Sequence, residues 1–359
     1  MPIQAAFTLT PNEIYESLAN MIISQEIPAD NLGEHQTLVD KARVDGGLFG
    51  DTKLYYATDV LKSHAWGNDA EAANLLALDR PEDPEVQAIK LDIFRQIRLT
   101  LDDYMTKRAF SNEGTFAQFN GVMLGWIRDT KRVYDGTLYN SFIGTTVSPK
   151  ASENIELAVK GLSDAKEEAM LIAQGLADLF VEMGDYSRDF NDYGNLRSYA
   201  KEGIKVIWNS KWVNKIRKVD LPTIFHKDGL VDKFEEEMLP AKYFGDVVAA
   251  AVTAEANLGG YRSLVEKDYE VSGEVVHVFP GDAIPAGVAI QAGESYQANA
   301  DVICKVVVKL PPIMSAFEVG TTFFNPRSLT ENHYLTFGHN SLAYLKNYPF
   351  ITVKAVAGE

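Results

Sequence analysis

The sequence has one cysteine and far fewer basic than acidic residues. Cys304 is the only cysteine among 359 residues, which excludes an internal disulfide and any zinc site built from cysteines. It lies in a largely apolar run, 302–308, that predicts a strand with a buried, unreactive thiol. Lys and Arg total 34 against 50 Asp and Glu, a formal net charge of -16. Because binding to phosphates needs a positive surplus, this balance argues against a general nucleic-acid-binding protein.

Long apolar segments, targeting signals and linkers are also missing. The mean hydropathy is -0.13, and no long uncharged apolar run is present, which excludes a membrane-spanning helix. The first residues contain no basic region followed by an apolar core, so we expect no secretory signal and a protein kept in a cytoplasm. The absence of repeats and Gly/Ser-rich tracts means that domain boundaries must come from changes in periodicity.

Strong catalytic signatures are absent. The sequence contains no Gly-rich phosphate loop, no dinucleotide-binding fingerprint, no nucleophile elbow and no His-Glu-x-x-His motif. Only His333 and His339 are close in sequence, and their spacing is wider than metal ligands usually show. We therefore expect no catalytic, cofactor-binding or metal-binding residues and no cofactor.

One central segment partly matches a calcium-binding loop. Asp189, Asn191 and Gly194 occupy the first, third and sixth loop positions. However, Tyr193 stands at a ligand position and Ala200 replaces the closing glutamate, which supplies much of the coordination. The segment therefore favours an exposed loop rich in Asp and Asn.

The clearest pattern is an alternation of apolar and polar residues over 89–102, interrupted only at Phe94 and Arg95. This period of two predicts a strand much longer than the usual length of about 5–6 residues. We expect it to pair with residues 52–61, around a tip at 64–85, as a long two-stranded ribbon. An isolated ribbon is only marginally stable, so its apolar face needs a cover from the same chain or a neighbour. The alternative is a strand of an ordinary sheet within one subunit.

Helical periodicity predicts a helix over 113–135, ending at Asp135 and Gly136, and a strand over 138–146. A second helix is predicted over 163–183, with Asp164 as its cap, and a third over 230–238. The remaining predicted strands are 204–208, 274–279, 302–310, 334–337 and 350–356. The fold class is α+β.

A basic stretch interleaved with tryptophans stands out in this acidic chain. Its members are Lys205, Lys211, Lys215, Arg217 and Lys218, with Trp208, Trp212 and Ile216. Aromatic residues among lysines can stack on nucleic-acid bases. The helical spacing of the apolar members instead favours an amphipathic helix with a solvated face, which could also meet an acidic patch of a neighbouring subunit.

The order of the elements is an arm, a ribbon, a long helix, a strand, a central α/β lobe and a closing β segment. Together with the local sequences at 96–102, 204–211 and 344–350, this order resembles the major capsid (major head) proteins of tailed double-stranded DNA phages. The resemblance implies the Hong Kong 97-type capsid fold, with an N-terminal arm, an extended β-ribbon loop, a spine helix, a peripheral domain and an axial domain. The implied boundaries are 1–50 for the arm, 51–102 for the extended loop, 103–148 for the peripheral domain with the spine helix, 149–310 for the axial domain with a β-rich insertion at 269–310, and 311–359 for the return to the peripheral domain.

The same resemblance implies a structural function without catalysis. The protein is expected to assemble in the host cytoplasm into hexamers and pentamers of an icosahedral shell, part of the virion, that encloses DNA without sequence-specific binding and involves no membrane. Scaffolding, portal and decoration proteins are the further expected partners. The candidate subunit-interface residues are Leu54, Tyr56, Ile89, Leu91, Ile93, Ile97, Leu99, Lys211, Lys215, Arg217 and Lys218.

Three other functions stay open from the sequence. An encapsulin-like compartment shell would use the same fold. A cytoplasmic metal-dependent hydrolase would use Asp185, Asp189 and histidines. A monomeric binding module is the third.

Overall fold

The computed structural model describes residues 37–46, 52–63, 80–102, 113–162, 164–217, 235–315 and 318–358. Most of the predicted N-terminal arm lies outside these residues. Within them, the helices are α1 (Thr37–Ala42), α2 (Glu113–Thr145), α3 (Ala165–Gly184) and α4 (Ser210–Arg217). The strands are β1 (Arg43–Asp45), β2 (Thr52–Ala57), β3 (Glu85–Asp102), β4 (Asn154–Lys160), β5 (Lys205–Asn209), β6 (Glu235–Leu239), β7 (Gly245–Val247), β8 (Tyr261–Ser263), β9 (Lys267–Val271), β10 (Glu274–Val278), β11 (Ser295–Ala298), β12 (Val302–Val307), β13 (Ile313–Ser315), β14 (Glu318–Asn325), β15 (Thr330–Asn340) and β16 (Phe350–Ala357).

A five-stranded sheet in the order β4-β16-β12-β5-β6 forms the centre of the larger core. The β4–β16 and β5–β6 pairs are parallel, and the other two pairs are antiparallel. Helix α3 covers one face of this sheet, where it packs against Val206 and Trp208 of β5. The C-terminal half of α2 covers the other face, where Tyr139 and Ile143 pack against Ile207. Alternate residues of a strand point to opposite faces, so β5 is apolar on both sides and buried between two helices.

Helix α3 and strand β5 confirm two of the predicted elements. The backbone N–H of Lys166 donates to the Asp164 side chain at 2.9 Å, so Asp164 caps α3 as expected. The predicted strands at 274–279, 302–310, 334–337 and 350–356 are also present, as β10, β12, β15 and β16.

Helix α2 is longer than the sequence predicts. It continues through Gly136 to Thr145, so the prediction of a helix end at 135–136 and a strand over 138–146 is wrong. Asp135 is buried and accepts hydrogen bonds from Lys131 (2.9 Å) and Arg43 (3.1 Å), which stabilise it inside the helix.

A second sheet has the strand order β14-β15-β3-β2. β3 is 18 residues long, but β2 pairs only with Glu85–Lys90, and β15 pairs with residues 91–102. The predicted ribbon is therefore present only at its base, and the rest of the strand follows the alternative of an ordinary sheet within one subunit. The middle of α2 packs under this sheet through Ile127 and Tyr134, so α2 connects the two sheets.

The helix predicted over 230–238 is wrong where the structure describes it. Residues 235–239 form β6, at the edge of the five-stranded sheet and parallel to β5. Glu235 accepts a hydrogen bond from Lys205 at 2.6 Å, and Glu237 accepts one from Lys41 at 2.5 Å. These long-range ion pairs fix an acidic segment as a strand, although its local sequence favours a helix.

The β-rich part contains a hairpin, β9–β10, and a three-stranded sheet, β7-β11-β8. Gly273 adopts a φ of 84° in the hairpin turn, a conformation that favours glycine. Among the described residues, neither long helix is apolar enough over sufficient length to cross a membrane.

Candidate subunit-contact surfaces

The outward face of the ribbon base, formed by β2 and Glu85–Lys90, carries an exposed apolar patch. Leu54 and Tyr56 of β2 are 50% and 63% exposed, and Val86, opposite Tyr56, is 46% exposed. The adjoining residues Val60 and Leu61 are also exposed. We call these five residues the ribbon patch. Exposed apolar residues grouped in this way are typical of a protein–protein contact.

The inward face of β3 is covered by the chain itself. Ile89 and Leu91 are buried in a small cluster with Met314 and Leu345. They were candidate interface residues, but their burial within the chain leaves them no surface for a neighbour. Ile93 is partly buried on the same face.

Ile97 and Leu99 are partly buried and pack against the cluster that joins β15 to α2. They too face the interior of the chain. Of the candidate interface residues on the predicted ribbon, Leu54 and Tyr56 are the two that are exposed to solvent.

The described part of the basic stretch begins in a strand and continues into a helix. Trp208 is the fourth residue of β5, so it is not part of the predicted amphipathic helix. Trp212 in α4 is largely buried, and its indole N–H donates to the Ala300 carbonyl at 2.8 Å. This hydrogen bond and the burial place both tryptophans in the core, away from any base-stacking role. Lys211 is exposed.

The side chains of Lys215 and Arg217, and the whole of Lys218, lie outside the described residues.

An anchor that the sequence analysis missed holds the base of the ribbon against the loop that follows α3. The Asp59 carboxylate accepts hydrogen bonds from the Leu196 backbone N–H (2.9 Å) and from Arg188 (2.5 Å). Next to it, Arg197 donates to the Thr58 carbonyl at 2.6 Å. We call these five residues the ribbon anchor. Nothing in the local sequence signals it, because the partners are separated by more than a hundred residues.

The anchor lowers the pKa of Asp59. The Leu196 N–H, followed by the Arg188 guanidinium, stabilises the carboxylate and lowers the pKa of Asp59 to about 2. The carboxylate thus keeps its charge even in mildly acidic solution, and its bonds hold the ribbon base against the loop after α3.

Arg95, which interrupted the alternation of β3, lies at the centre of a second polar contact. It forms an ion pair with Glu266 at 2.6 Å, and its guanidinium lies 4.8 Å from the centre of the Tyr134 ring. Glu266 also contacts the His277 ring at 3.0 Å, and the other nitrogen of that ring lies 2.6 Å from Asp268. This chain of contacts links the four-stranded sheet to the β9–β10 hairpin.

The former metal candidates have other contacts. His339 is buried, with one ring nitrogen 2.8 Å from the Tyr134 hydroxyl and the other 2.9 Å from the Asn340 carbonyl. Burial lowers the pKa of His339, which favours the neutral ring.

In the loop that resembled a calcium site, Ser187 donates to the Asp189 carboxylate at 2.9 Å. Asn191 exchanges two hydrogen bonds with the Asn195 backbone. The part of the chain that the structure describes contains no group of three His, Cys, Asp or Glu side chains able to hold a metal ion. The segment is thus a turn rich in Asp and Asn, but it is not exposed throughout as expected, because Asn191 and Asn195 are buried.

Three buried ionisable groups lie in the five-stranded sheet and beside it. Cys304 is fully buried, and burial raises the pKa of its thiol, as expected for an unreactive cysteine. Lys305 is fully buried, and burial lowers its pKa to about 7. Burial also raises the pKa of Glu153 to about 7. Neither Lys305 nor Glu153 contacts the ribbon patch. We therefore expect their protonation to affect the stability of the fold and not the subunit contact.

The fold matches solved phage structures over nearly the whole chain. A chain in the capsid structure of Staphylococcus phage Andhra matches with a TM-score of 0.58 and 11% identity, covering 99% of this chain and 88% of that chain. A chain in the structure of head fiber and inner core protein gp22 of native bacteriophage P68 gives 0.54 and 10%, covering 92% and 89%. No protein-family model and no curated protein matches the sequence. At such low identity the similarity shows the fold alone, and the capsid fold predicted from the sequence is confirmed: this chain has the fold of a tailed-phage capsid chain.

Proposed function

We propose that this chain is the major capsid protein of a tailed phage and that it self-assembles into the icosahedral shell of the head around double-stranded DNA. The observation that carries the proposal is the fold match over 99% of the chain with a chain of the Andhra phage capsid. The match extends over both sheets and the helix between them, which supports a shared role and not only a shared motif.

The exposed surfaces support self-assembly. The ribbon base projects an apolar patch at Leu54, Tyr56 and Val86, and the ribbon anchor holds that base in place. An apolar surface on a rigid support suits a contact that is covered by a neighbouring subunit. Hexamers and pentamers are the assemblies that we propose for these contacts.

The chain topology supports the proposed domain assignment except at the C-terminal strand. Residues 51–102 would form the extended loop, and 149–310 the axial domain with its β-rich insertion. Residues 103–148, with α2 as the spine helix, would join 311–359 in the peripheral domain. The pairing of β15 with β3 and the packing of α2 beneath both strands support this return for β15. Strand β16, also within 311–359, instead pairs with β4 and β12 in the five-stranded sheet, so we assign 350–357 to the axial domain.

The role we propose is structural and not enzymatic. Asp189, which a hydrolase would use, is held by a hydrogen bond from Ser187 within its own loop. The formal net charge of -16 suits a shell that encloses DNA without binding its phosphates. We place the protein in the virion after assembly in the host cytoplasm, with scaffolding, portal and decoration proteins as further partners.

Size-exclusion chromatography and negative-stain microscopy of the full chain test this proposal. Closed shells or large rings are the expected products. A stable 39.8 kDa monomer under all conditions of salt, pH and concentration would contradict the capsid role. Shells that hold protein cargo and no DNA, after production in an infected host, would favour the encapsulin-like alternative.

A further inference from the structure

Strand β14 forms an exposed edge of the four-stranded sheet. It pairs with β15 along its whole length, and no second strand among the described residues pairs with its other side. Val319, Phe323 and Phe324 are 44%, 59% and 48% exposed. Within the described part of the chain, the backbone groups on the outer side of β14 are therefore open to another strand.

This edge lacks the features that usually keep edge strands apart. The strand contains no lysine, arginine or proline, and Glu318 at its first position is its only charged residue. Its register with β15 has no bulge. Proteins commonly protect edge strands with such residues or with bulges, because an open edge pairs with other chains. An unprotected edge of eight residues is thus suited to pairing with another strand.

We propose that β14 pairs antiparallel with β14 of a second copy across a twofold axis, joining two four-stranded sheets into one eight-stranded sheet. This inference rests on the proposed function and names one of the contacts through which the subunits meet. A twofold contact uses the same segment in both copies and closes on itself, so a single edge strand supplies both halves.

The two faces of the sheet fix the register of this pairing. In antiparallel strands, directly opposed residues point to the same face, so Val319, Thr321 and Phe323 share one face of β14. A twofold axis through Thr321, perpendicular to the sheet, places Thr321 opposite Thr321 of the second copy. Val319 then lies opposite Phe323, a pairing of β-branched and aromatic residues that favours strand association. An axis through Thr322 would instead place Val319 opposite Asn325, which loses this pairing.

The charges at the ends of the strand agree with the antiparallel direction. Glu318 begins β14, and Arg327 follows its last residue by two positions. In the register with the axis at Thr321, Glu318 lies opposite Phe324 of the other copy, about 10 Å along the strand from Arg327, so unlike charges lie near both ends. Parallel pairing would bring like charges together.

Disulfide cross-linking tests the register. The native cysteine, Cys304, is fully buried, so Thr321→Cys adds one accessible thiol on an exposed strand. Opposed residues of an antiparallel pair lie close enough for a disulfide, and we expect Thr321→Cys shells to give a covalent dimer after oxidation with copper phenanthroline. The matched control Asn325→Cys should give none, because this register separates the two copies of residue 325 by about 27 Å.

A charge substitution gives an independent measurement. Thr321→Lys places two ammonium groups face to face, so we expect the assembly yield to fall about tenfold while the melting temperature of the subunit is unchanged. Asn325→Lys, at the end of the same strand, should assemble normally.

The outcomes separate this inference from the proposed function. A dimer from Thr321→Cys together with the loss of assembly in Thr321→Lys supports the pairing. Intact Thr321→Cys shells without a cross-link, or normal assembly of Thr321→Lys, overturn the pairing and leave the capsid role standing. Failure of the unmodified chain to assemble would count against the capsid role itself.

Discussion

Asp59 and Arg188 form an ion pair, with carboxylate Oδ2 and guanidinium Nη1 2.5 Å apart, that connects the base of the ribbon to the loop after α3. The same carboxylate accepts the Leu196 backbone N–H at 2.9 Å. The Asp59 side chain, two residues after the end of β2, thus joins the ribbon base to the lobe that contains the five-stranded sheet. The direction in which the ribbon base leaves the subunit is set by a few contacts outside the main cores.

Replacing Asp59 should release the ribbon base without unfolding the subunit. In Asp59→Ala, Leu196 and Arg188 lose their acceptor, while neither core cluster around the five-stranded sheet loses a side chain. We expect hydrogen exchange at residues 52–63 to become several-fold faster, with unchanged exchange in α3 and β12. Mass-spectrometric hydrogen exchange on the full chain measures both regions.

A neighbouring ion pair provides a matched control. Lys62 and Glu82 lie 3.0 Å apart, but their side chains are 81% and 80% exposed. Such exposed pairs contribute little, so Lys62→Ala should leave the exchange pattern unchanged. Equal effects of Asp59→Ala and Lys62→Ala would show that the anchor has no special role.

The ribbon patch should be needed for assembly and not for folding. Leu54→Lys and Tyr56→Lys each place a charge on an exposed apolar surface, so the free subunit keeps its melting temperature. In the shell, the same charge would be buried without a partner, and we expect assembly to be lost. Light scattering during assembly measures this loss. Thr52→Lys, at the exposed start of the same strand, should assemble like the unmodified chain.

The periodicity of apolar residues predicted the elements that bury one face. The alternation over 89–102 gave β3 because every second side chain of that strand faces α2 or the small cluster beneath β2. Its interruption at Arg95 has a long-range cause, since the guanidinium is neutralised by Glu266 and lies against Tyr134. The sequence alone contains no sign of that partner.

The two wrong predictions, the end of α2 and the helix over 230–238, also result from contacts between residues that are distant in sequence. Asp135 and Gly136 are a reasonable helix end, but Lys131 and Arg43 pair with the Asp135 carboxylate and α2 continues. The ion pair of Glu235 with Lys205 likewise requires the folded sheet. The ribbon anchor was missed for this reason too, so pairing between distant charges limits what periodicity can predict.

The stability of the fold should depend on pH through Glu153. Burial raises its pKa to about 7 from 4.5, and the Phe350 backbone N–H donates to its carboxyl at 3.4 Å. Between pH 4.5 and 7, Glu153 holds a proton in the folded state that it has lost in the unfolded state. The free energy of unfolding therefore falls as the pH rises from 4.5 to 7.

Glu153→Gln removes this titration with almost no change in shape. We expect the variant to gain stability over the unmodified chain across that range and to be more stable by about 3 kcal/mol at pH 8. Urea unfolding at pH 4.5, 6 and 8 measures the difference. Glu156→Gln, on the exposed side of the following strand, keeps Glu153 and should match the stability of the unmodified chain at all three pH values.

Lys305 should make the stability of the fold rise with pH above pH 7, opposite to the effect of Glu153. Its ammonium is fully buried, and it donates to the Thr146 carbonyl at 2.7 Å and to the Thr352 hydroxyl at 2.9 Å. Burial lowers its pKa to about 7 from 10.5. Between these values the unfolded state binds a proton that the folded state has lost, so stability contributed by this group rises with pH by up to about 1.4 kcal/mol per unit.

Lys305→Met keeps the length of the side chain and removes the ionisable group, so the rise in stability above pH 7 should disappear. Loss of the bond to the Thr146 carbonyl should cost about 1 kcal/mol at every pH, which leaves the slope as the diagnostic quantity. Guanidinium unfolding at half-unit steps from pH 7 to pH 9.5 measures that slope. Lys160→Met, at the exposed end of β4, serves as the control and should keep the slope of the unmodified chain, because Lys305 is still present. An unchanged slope in Lys305→Met would mean that the buried ammonium stays protonated throughout this range.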